Sequence, residues 1–299
     1  MDAENYILID GKKIAAEIEE ELAHKVEILS KQGKRPPHLA AILVGHDGPS
    51  QTYVENKVKA CRKVGFESTL LRFSKSITEQ KLLNEVQRLN EDHDIDGFIV
   101  QLPLPEHISQ EKINETIYPD KDVDGFTNVN FGRIVSKTPG LLPATPNGVM
   151  ELLKRYKVET EGKHAVIVGH SRIVGAPLAL LLSQKGNATV TQCHIYTKDL
   201  KKHTLDADIL CVAVGKPGLI TGDMIKKGAV VIDIGISRVE DPTKKSGFTV
   251  KGDVDFESAK SKVAMITPVP GGVGPMTIAS LLLNTFQAYE KKHERLSHD

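Results

Sequence analysis

His164-Ala-Val-Ile-Val168-Gly169-His170-Ser171-Arg172-Ile-Val-Gly175-Ala-Pro-Leu-Ala-Leu-Leu-Leu182 reads as an apolar strand, a glycine-bearing turn and a helix. That order makes the first βα unit of a nucleotide-binding fold, whose helix N-terminus offers free N–H groups and a positive dipole end to a pyrophosphate. The G-x-G-x-x-G spacing is not met. Ser171 stands at the second glycine's place, Val174 at the third's, and Gly175 comes one later. The next strand, Ala188-Thr-Val-Thr191, runs to His194 with no acid for a ribose 2′-hydroxyl; Asp199 comes later. Arg172 and His194 can instead face a 2′-phosphate, which favours NADP over NAD. Two further apolar strands, 208–215 and 228–235, end in Gly215 and Gly235, where bare backbone can approach a ligand closely.

Towards the C-terminus, 238–252 reads as a polar hairpin or loop and 263–266 as a short strand. Thr267-Pro268-Val-Pro270-Gly-Gly272-Val273-Gly-Pro275-Met-Thr277 follows, too rich in proline and glycine for regular structure. A stiff loop with bare amides after a strand suits a ligand wall. The spacing predicts a helix from Pro275 to about 293 that leaves the Rossmann layer and packs on the first domain.

Towards the N-terminus, residues 11–31 carry Ile14, Ile18, Leu22, Val26 and Leu29 on one helical face, and Pro36-Pro37 ends that segment. Strand 39–44, helix 50–64, strand 67–73, helix 78–90 and an apolar strand ending at Gln101 follow. Residues 126–145 read as irregular, and Thr145-Pro146 as a cap and first helical position before a helix to about Tyr156. Strand and helix alternate throughout, which predicts an α/β fold with parallel sheets. The expected plan is two domains with an interdomain cleft. An N-terminal α/β layer domain takes 1–146 and 276–299, and a Rossmann-like dinucleotide-binding domain takes 147–275.

The first domain carries the reactive side chains. Ser50-Gln-Thr-Tyr53-Val-Glu-Asn-Lys57 follows strand 39–44 and a Gly45–Pro49 turn, with Ser50 suited to cap the helix. Tyr53 and Lys57, four apart, share a helix face. A phenol beside an amine at a strand–helix mouth is a candidate acid/base pair, although a capped surface helix with a solvated lysine has the same spacing. Gln101 ends a strand at the edge where open α/β sheets bind ligands, so it can meet Lys57. In Lys121-Asp122-Val-Asp124-Gly125 either aspartate can present a carboxylate, and spacing does not choose between them.

The 299 residues are 40% hydrophobic and 26% charged, an ordinary globular balance. Lys+Arg and Asp+Glu both number 39, so nothing points to nucleic acid or an anionic membrane. Cys61, Cys193 and Cys211 form no CxxC and no even set, which argues against disulfides or zinc and for a reducing compartment. No His/Cys/carboxylate cluster has metal-ligand spacing. The acidic amino terminus resembles no export or transit signal, and apolar runs are too short to span a bilayer. A soluble cytoplasmic protein is expected.

Taken together, Ser50-x-x-Tyr53-x-x-x-Lys57, Val100-Gln-Leu-Pro-Leu104, Lys121-Asp-Val-Asp-Gly125, Gly169-x-Ser-x-Ile-Val-Gly175-x-Pro and Pro268-Val-Pro-Gly-Gly-Val-Gly-Pro275 closely resemble the bifunctional methylenetetrahydrofolate dehydrogenase/methenyltetrahydrofolate cyclohydrolase family, over essentially the whole chain. The resemblance implies a homodimer binding tetrahydrofolate derivatives in one-carbon metabolism that feeds purine biosynthesis. It implies Lys57 as the central catalytic group, Tyr53 stacked on the aminobenzoyl ring, Gln101 bonded to Lys57, and Asp124 holding the pterin. Ser50, Pro268, Gly272 and Val273 would join the folate site. Gly169, His170, Ser171, Arg172, His194, Ile195, Gly215 and Ile236 would take the cofactor.

The chain departs from the family's pattern at His170, where many members have arginine, and at Ile195, where many have serine or arginine. The 2′-phosphate would then rely on Arg172, His170 or His194. NADP is the expected cofactor, with NAD the alternative. The implied chemistry is hydride loss from the methylene bridge, then water attack on the methenyl cation with Lys57 moving protons. An ordinary lysine is a poor base at neutral pH, and a cationic substrate beside it disfavours the ammonium. A dehydrogenase without the hydrolytic step fits the same residues.

Overall fold

The computed structural model describes residues 6–45, 48–244 and 247–296. His46 and Asp47 of the expected turn, and residues 1–5, lie outside them. Up to Arg155 the elements are β1 (Ile7–Leu8), α1 (Gly11–Lys31), β2 (His38–Val44), α2 (Gly48–Lys63), β3 (Glu67–Phe73), α3 (Glu79–Glu91), β4 (Gly97–Val100), α4 (Gln110–Thr116), α5 (Asn128–Val135) and α6 (Ala144–Arg155). Then come β5 (His164–Val168), α7 (Gly175–Gln184), β6 (Thr189–Cys193), α8 (Leu200–Leu205), β7 (Ile209–Val212), β8 (Val230–Asp233), β9 (Ser237–Glu240), β10 (Phe248–Lys251), α9 (Phe256–Ala259), β11 (Met265–Ile266) and α10 (Val273–Leu296). A one-turn 3₁₀ helix, Gly222–Met224, lies between β7 and β8.

Two compact units emerge, Met1–Ala15 with Thr145–Thr277, and Ala16–Ala144 with Ile278–Asp299. The expected division put the first fifteen residues with the second of these. Pairing decides otherwise: β1 runs parallel to β11, Ile7 opposite Met265 and Leu8 opposite Ile266. A two-residue edge strand leaves almost no periodicity to read. The terminal segment from Ile278 does group with 16–144.

The first unit is built on a sheet ordered β1-β11-β8-β7-β5-β6, every neighbour parallel. Its central strand β7 is buried at all four residues, as a parallel strand covered on both faces must be. β9 and β10 form a separate antiparallel pair, with the Arg238 guanidinium 4.5 Å from the Phe248 ring centre; the 238–252 stretch is therefore a hairpin.

The second unit has a three-stranded parallel sheet, β3-β2-β4. Ala40, Ile42 and Val44 of β2 pack with Leu82, Val86 and Leu89 of α3 and with Phe98 and Val100 of β4. The α3 residues recur at helical spacing, and the Thr78 side chain accepts the Lys81 amide to cap the helix. Part of the stretch read as irregular, 126–145, is helical. Thr127 caps α5 by accepting the Asn130 amide at 3.2 Å, so one capping residue supports a helix too short for a clear apolar period.

One buried knot in the first unit sets a pH dependence. Asp233, at the end of β8, accepts the amides of Gly235 and Asp253 at 3.1 and 3.0 Å and that of Val254 at 2.9 Å. Asp253 accepts those of Val214 and Gly215 at 2.6 and 2.9 Å, and its other oxygen is buried without a partner. Burial, with Asp253 adding to it and the donated amides opposing it, raises Asp233 from 3.8 to about 7. The folded state thus holds a proton that the unfolded chain releases near 3.8. This stability is complete below that value and is lost as pH rises through about 7, at most about 4 kcal/mol. Urea midpoints should fall between about pH 5 and 7 and level off above. Asp233→Asn should flatten that slope; an equal slope in the variant would assign the dependence elsewhere.

Candidate functional site

Lys57 lies in the third turn of α2, after the central strand β2. It is only 5% exposed, so it is not a solvated surface lysine. Nζ donates to Gln101 Oε1 at 3.3 Å and stands 3.9 Å from Asp124 Oδ1. Burying an ammonium costs several kcal/mol unless its partners are close and well aligned. Contacts this long make the site poor as a stability device and suitable as a reactive one.

The same face of α2 sorts by depth. Tyr53, one turn before Lys57, is 39% exposed, and partial burial raises its phenol above the ordinary value. Cys61, one turn after, is fully buried, and burial pushes its thiol up to about 12. Cys61 is therefore an inert wall behind Lys57, despite the nearby positive charge. Ser50 is not the N-cap: α2 begins at Gly48, which makes Ser50 a buried third residue of the helix. Glycine and proline at 48 and 49 can begin the first turn, because its N–H groups need no intrahelical partner.

Parallel strands explain how distant residues meet. β2 and β4 run side by side, so the start of α2 and Gln101 emerge at the same, carboxyl edge. The Gln101 amide N–H donates to Ile42 O at 2.9 Å, continuing the ladder. Its side-chain Nε2 donates to Leu102 O at 2.8 Å. That bond fixes the amide so that Oε1, an acceptor, faces the ammonium.

Asp122 bridges to Phe98 in parallel sense beside β4, which carries the chain past the same edge and leaves Asp124 there. Glycine at 97 is required: a Cβ would stand 2.2 Å from Val123 Cγ1. The two aspartates separate by role. Asp122, 1% exposed, accepts the amides of Phe126 and Thr127 at 3.0 and 2.8 Å and Asn130 Nδ2 at 3.0 Å. Asp124 faces Lys57. Burial raises its carboxyl, Lys57 opposes that shift, and Asp122 adds to it. Asn284 of α10 fixes the strand of chain between them, donating to Val123 O at 2.8 Å and Leu142 O at 2.7 Å. No local pattern could have singled out Asn284, whose partners lie far away in sequence.

In the first unit the glycine turn fits a bound phosphate group. Gly169 has φ +121°, and a Cβ there would lie 2.3 Å from Ala213 O; one on Gly175 would lie 2.2 Å from Gly169 O. These two glycines let the strand end and the α7 N-terminus close on each other. No side chain caps α7 from Val174; Ser171 Oγ accepts the Gly175 amide at 3.4 Å. His170, Ser171 and Arg172 are exposed, and so is Ile195 at 85%. The His170 and His194 rings lie 5.2 Å apart. The Tyr196 amide donates to His194 Nδ1 at 3.2 Å, which places the proton of the neutral ring on Nε2, a donor. Gly215 turns at φ +67° and Ile236 is exposed nearby in sequence after β8. Asp199 caps α8 by accepting the Lys202 amide at 3.3 Å, which gives it a local structural role. Glycines at the strand ends and exposed groups after β6 thus fit a nicotinamide dinucleotide. Pro268, Gly272 and Val273 belong to this unit, where α10 begins at Val273 rather than Pro275; proline is tolerated in that first turn.

The two aspartates give a stability test. Asp122→Ala strands two backbone donors and Asn130, and should cost about 2–4 kcal/mol in urea unfolding. Asp124→Asn removes only a long, 3.9 Å partner of Lys57 and a carboxyl whose ionised form burial disfavours, so it should cost clearly less than Asp122→Ala. The reverse order would contradict this division of roles.

Residues 9–124 match the tetrahydrofolate dehydrogenase/cyclohydrolase catalytic domain, and residues 143–293 match the NAD(P)-binding domain of that family. The chain is 56% identical to the bifunctional protein FolD of Cytophaga hutchinsonii, over 94% of this chain and 98% of that one. The crystal structure of the bifunctional methylenetetrahydrofolate dehydrogenase/cyclohydrolase from Campylobacter jejuni is 47% identical, with TM-score 0.91 over 96% of this chain and 99% of that one. A Trypanosoma brucei dehydrogenase-cyclohydrolase, complexed with NADP and inhibitor, is 40% identical, with TM-score 0.92 over 96% and 98% of the two chains. With both domains matched in order and more than half the residues shared with a full-length relative, this chain belongs to the tetrahydrofolate dehydrogenase/cyclohydrolase family.

Proposed function

We propose that this protein oxidises 5,10-methylenetetrahydrofolate to 5,10-methenyltetrahydrofolate with NADP, and hydrolyses that product to 10-formyltetrahydrofolate. The observation that carries this reading is the buried amine of Lys57, held by Gln101 and facing Asp124, in a chain of this family.

When bound, the nicotinamide supplies a hydride acceptor for the methylene carbon. Lone pairs on the flanking folate nitrogens drive that transfer, so no side chain has to take a proton in it. The protein's work is orientation, which requires the reacting carbons about 3–3.5 Å apart. Gly169, Ser171, Gly215 and Ile236 would hold the cofactor. Arg172 and the His170–His194 pair would meet the 2′-phosphate. Tyr53, the exposed member of its helix face, stacks on the aminobenzoyl ring, and Asp124 holds the pterin. Ser50, Pro268, Gly272 and Val273 complete the folate contacts.

Hydrolysis makes heavier demands on side chains. Water adds to the methenyl carbon and loses a proton to Lys57 Nζ. The resulting ammonium returns that proton to N5 as the C–N5 bond breaks, and the freed amine takes the hydroxyl proton as the C=O forms, leaving the formyl group on N10 with one proton released overall. Gln101 Oε1 keeps the amine aimed through these transfers, and the cationic substrate favours its neutral form. We extend the proposal to a cytoplasmic homodimer; the three free cysteines are compatible with a reducing compartment.

Preference for NAD is the second reading, favoured by the uncharged, exposed Ile195. Initial rates of 5,10-methylenetetrahydrofolate oxidation with each cofactor decide it, with methenyl absorbance followed in the same trace. The proposal predicts a faster rate with NADP and no lasting methenyl accumulation. A faster rate with NAD would transfer the assignment to that cofactor, accumulated methenyl product would remove the hydrolase, and no rate with either would remove the dehydrogenase.

A further inference from the structure

At the amino edge of the three-stranded sheet, away from the strand ends that carry Lys57 and Gln101, lies a cavity of about 720 Å³. That volume is in the range that takes a drug-sized molecule. Its walls come from four places in the second unit: Arg35 after α1, the loop joining α3 to β4, the segment Tyr118–Lys121 with Arg133, and the last turns of α10.

The charge in these walls does not balance. Among the described residues five cationic side chains line the cavity, Arg35, Lys121, Arg133, Lys291 and Lys292, against two carboxylates, Asp96 and Asp120. Both carboxylates are already engaged. Asp96 takes Arg35 in a two-pronged pair, 2.7 Å at each oxygen. Asp120 Oδ1 takes Arg133 at 3.0 Å and Lys291 at 2.7 Å. Lys121 bonds to carbonyls, Leu89 O at 2.8 Å and Asp92 O at 2.6 Å, while Lys292 donates to His93 O and shares Asp96 with Arg35, 3.5 Å from Oδ1. Carbonyl dipoles hold the Lys121 ammonium but do not neutralise it. Burial and, after it, the charge of Lys292 bring Lys121 down to about 8, with Asp92 and Asp96 opposing the shift. His293 adds a buried Nε2 with no partner. The rest of the lining is apolar, with Tyr118, Pro119 and Ala288 beside the methylene stems of the lysines.

Five cations sharing two carboxylates, a half-desolvated lysine bonded to carbonyls and an orphaned ring nitrogen around one cavity describe a place short of negative charge. We infer that this cavity is a second ligand site, for an organic polyanion whose apolar body fills the space and whose carboxylate or phosphate groups meet Arg35, Arg133 and the three lysines. Arginine accepts planar oxyanions in two-pronged fashion, and lysine meets either kind as a point charge. The ligand lies against the segment that continues from Lys121 into Asp122 and Asp124, but its binding is independent of the folate chemistry proposed above.

Titration calorimetry tests the inference with two probes, benzene-1,3,5-tricarboxylate and pyrophosphate, on the wild-type chain and on the Lys121→Gln/Lys292→Gln variant. Saturable binding tighter than about 1 mM that the double variant weakens about tenfold or more is the expected result. Binding of the tricarboxylate alone would mark a carboxylate ligand, and binding of pyrophosphate alone a phosphate ligand; each upholds the site. Arg133→Gln repeats the measurement if the double variant does not fold. No saturable binding of either probe would overturn the inference. So would binding that the variants leave unchanged, because the anion would then sit elsewhere. Neither outcome depends on whether the chain turns over folate.

Discussion

Keeping one ammonium group out of water is the constraint on which the catalytic unit depends. Lys57 is buried, and among the described residues nothing beside it neutralises it well: an amide oxygen at 3.3 Å and a carboxylate at 3.9 Å. Replacing such a group by a packed apolar side chain is commonly neutral or stabilising. Much surrounding structure exists to hold its neighbours in place. Gln101 is fixed by Leu102 O, the Asp124 loop by Asp122 and Asn284, and the close approach of that loop by the absence of a side chain at Gly97. The stability put into Asp122 positions the less comfortable Asp124.

The dinucleotide-binding unit solves a different problem with backbone. Its glycine turn lets strand β5 and helix α7 approach within contact distances that any side chain would violate. Asp233 and Asp253 then tie together, through amide hydrogen bonds, the segments at the ends of β7 and β8. Under the proposed function, this backbone beneath the exposed His170 and Ile195 would leave the choice of cofactor to a few surface side chains.

What was legible in sequence followed from local periodicity. The long amphipathic helix α1, the strand–helix alternation and the Tyr53–Lys57 face were readable because a few neighbouring residues decide them. Gln101 was readable because a strand end is a local event. What was hidden depends on pairing. Asp122 and Asp124 look alike until the bridge to Phe98 sets which one passes the sheet edge. The edge strand β1 has two residues, and only β11 makes it a strand. Ser50 resembled a cap because side-chain chemistry suggested one, yet helix geometry begins two residues earlier. Asn284, with partners at Val123 and Leu142, and the charge excess of the polyanion cavity are properties of assembled surfaces. No window of sequence contains them.

The central claim is that Lys57 moves the protons of methenyl hydrolysis. The most direct measurement is the single-turnover decay of 5,10-methenyltetrahydrofolate absorbance with wild-type protein and with Lys57→Met, at matched folate occupancy. The account predicts a loss of about 10²–10⁴-fold in the hydrolytic step, with folate still bound. Decay in the variant within a few-fold of wild type would contradict it and move the proton transfers to another group.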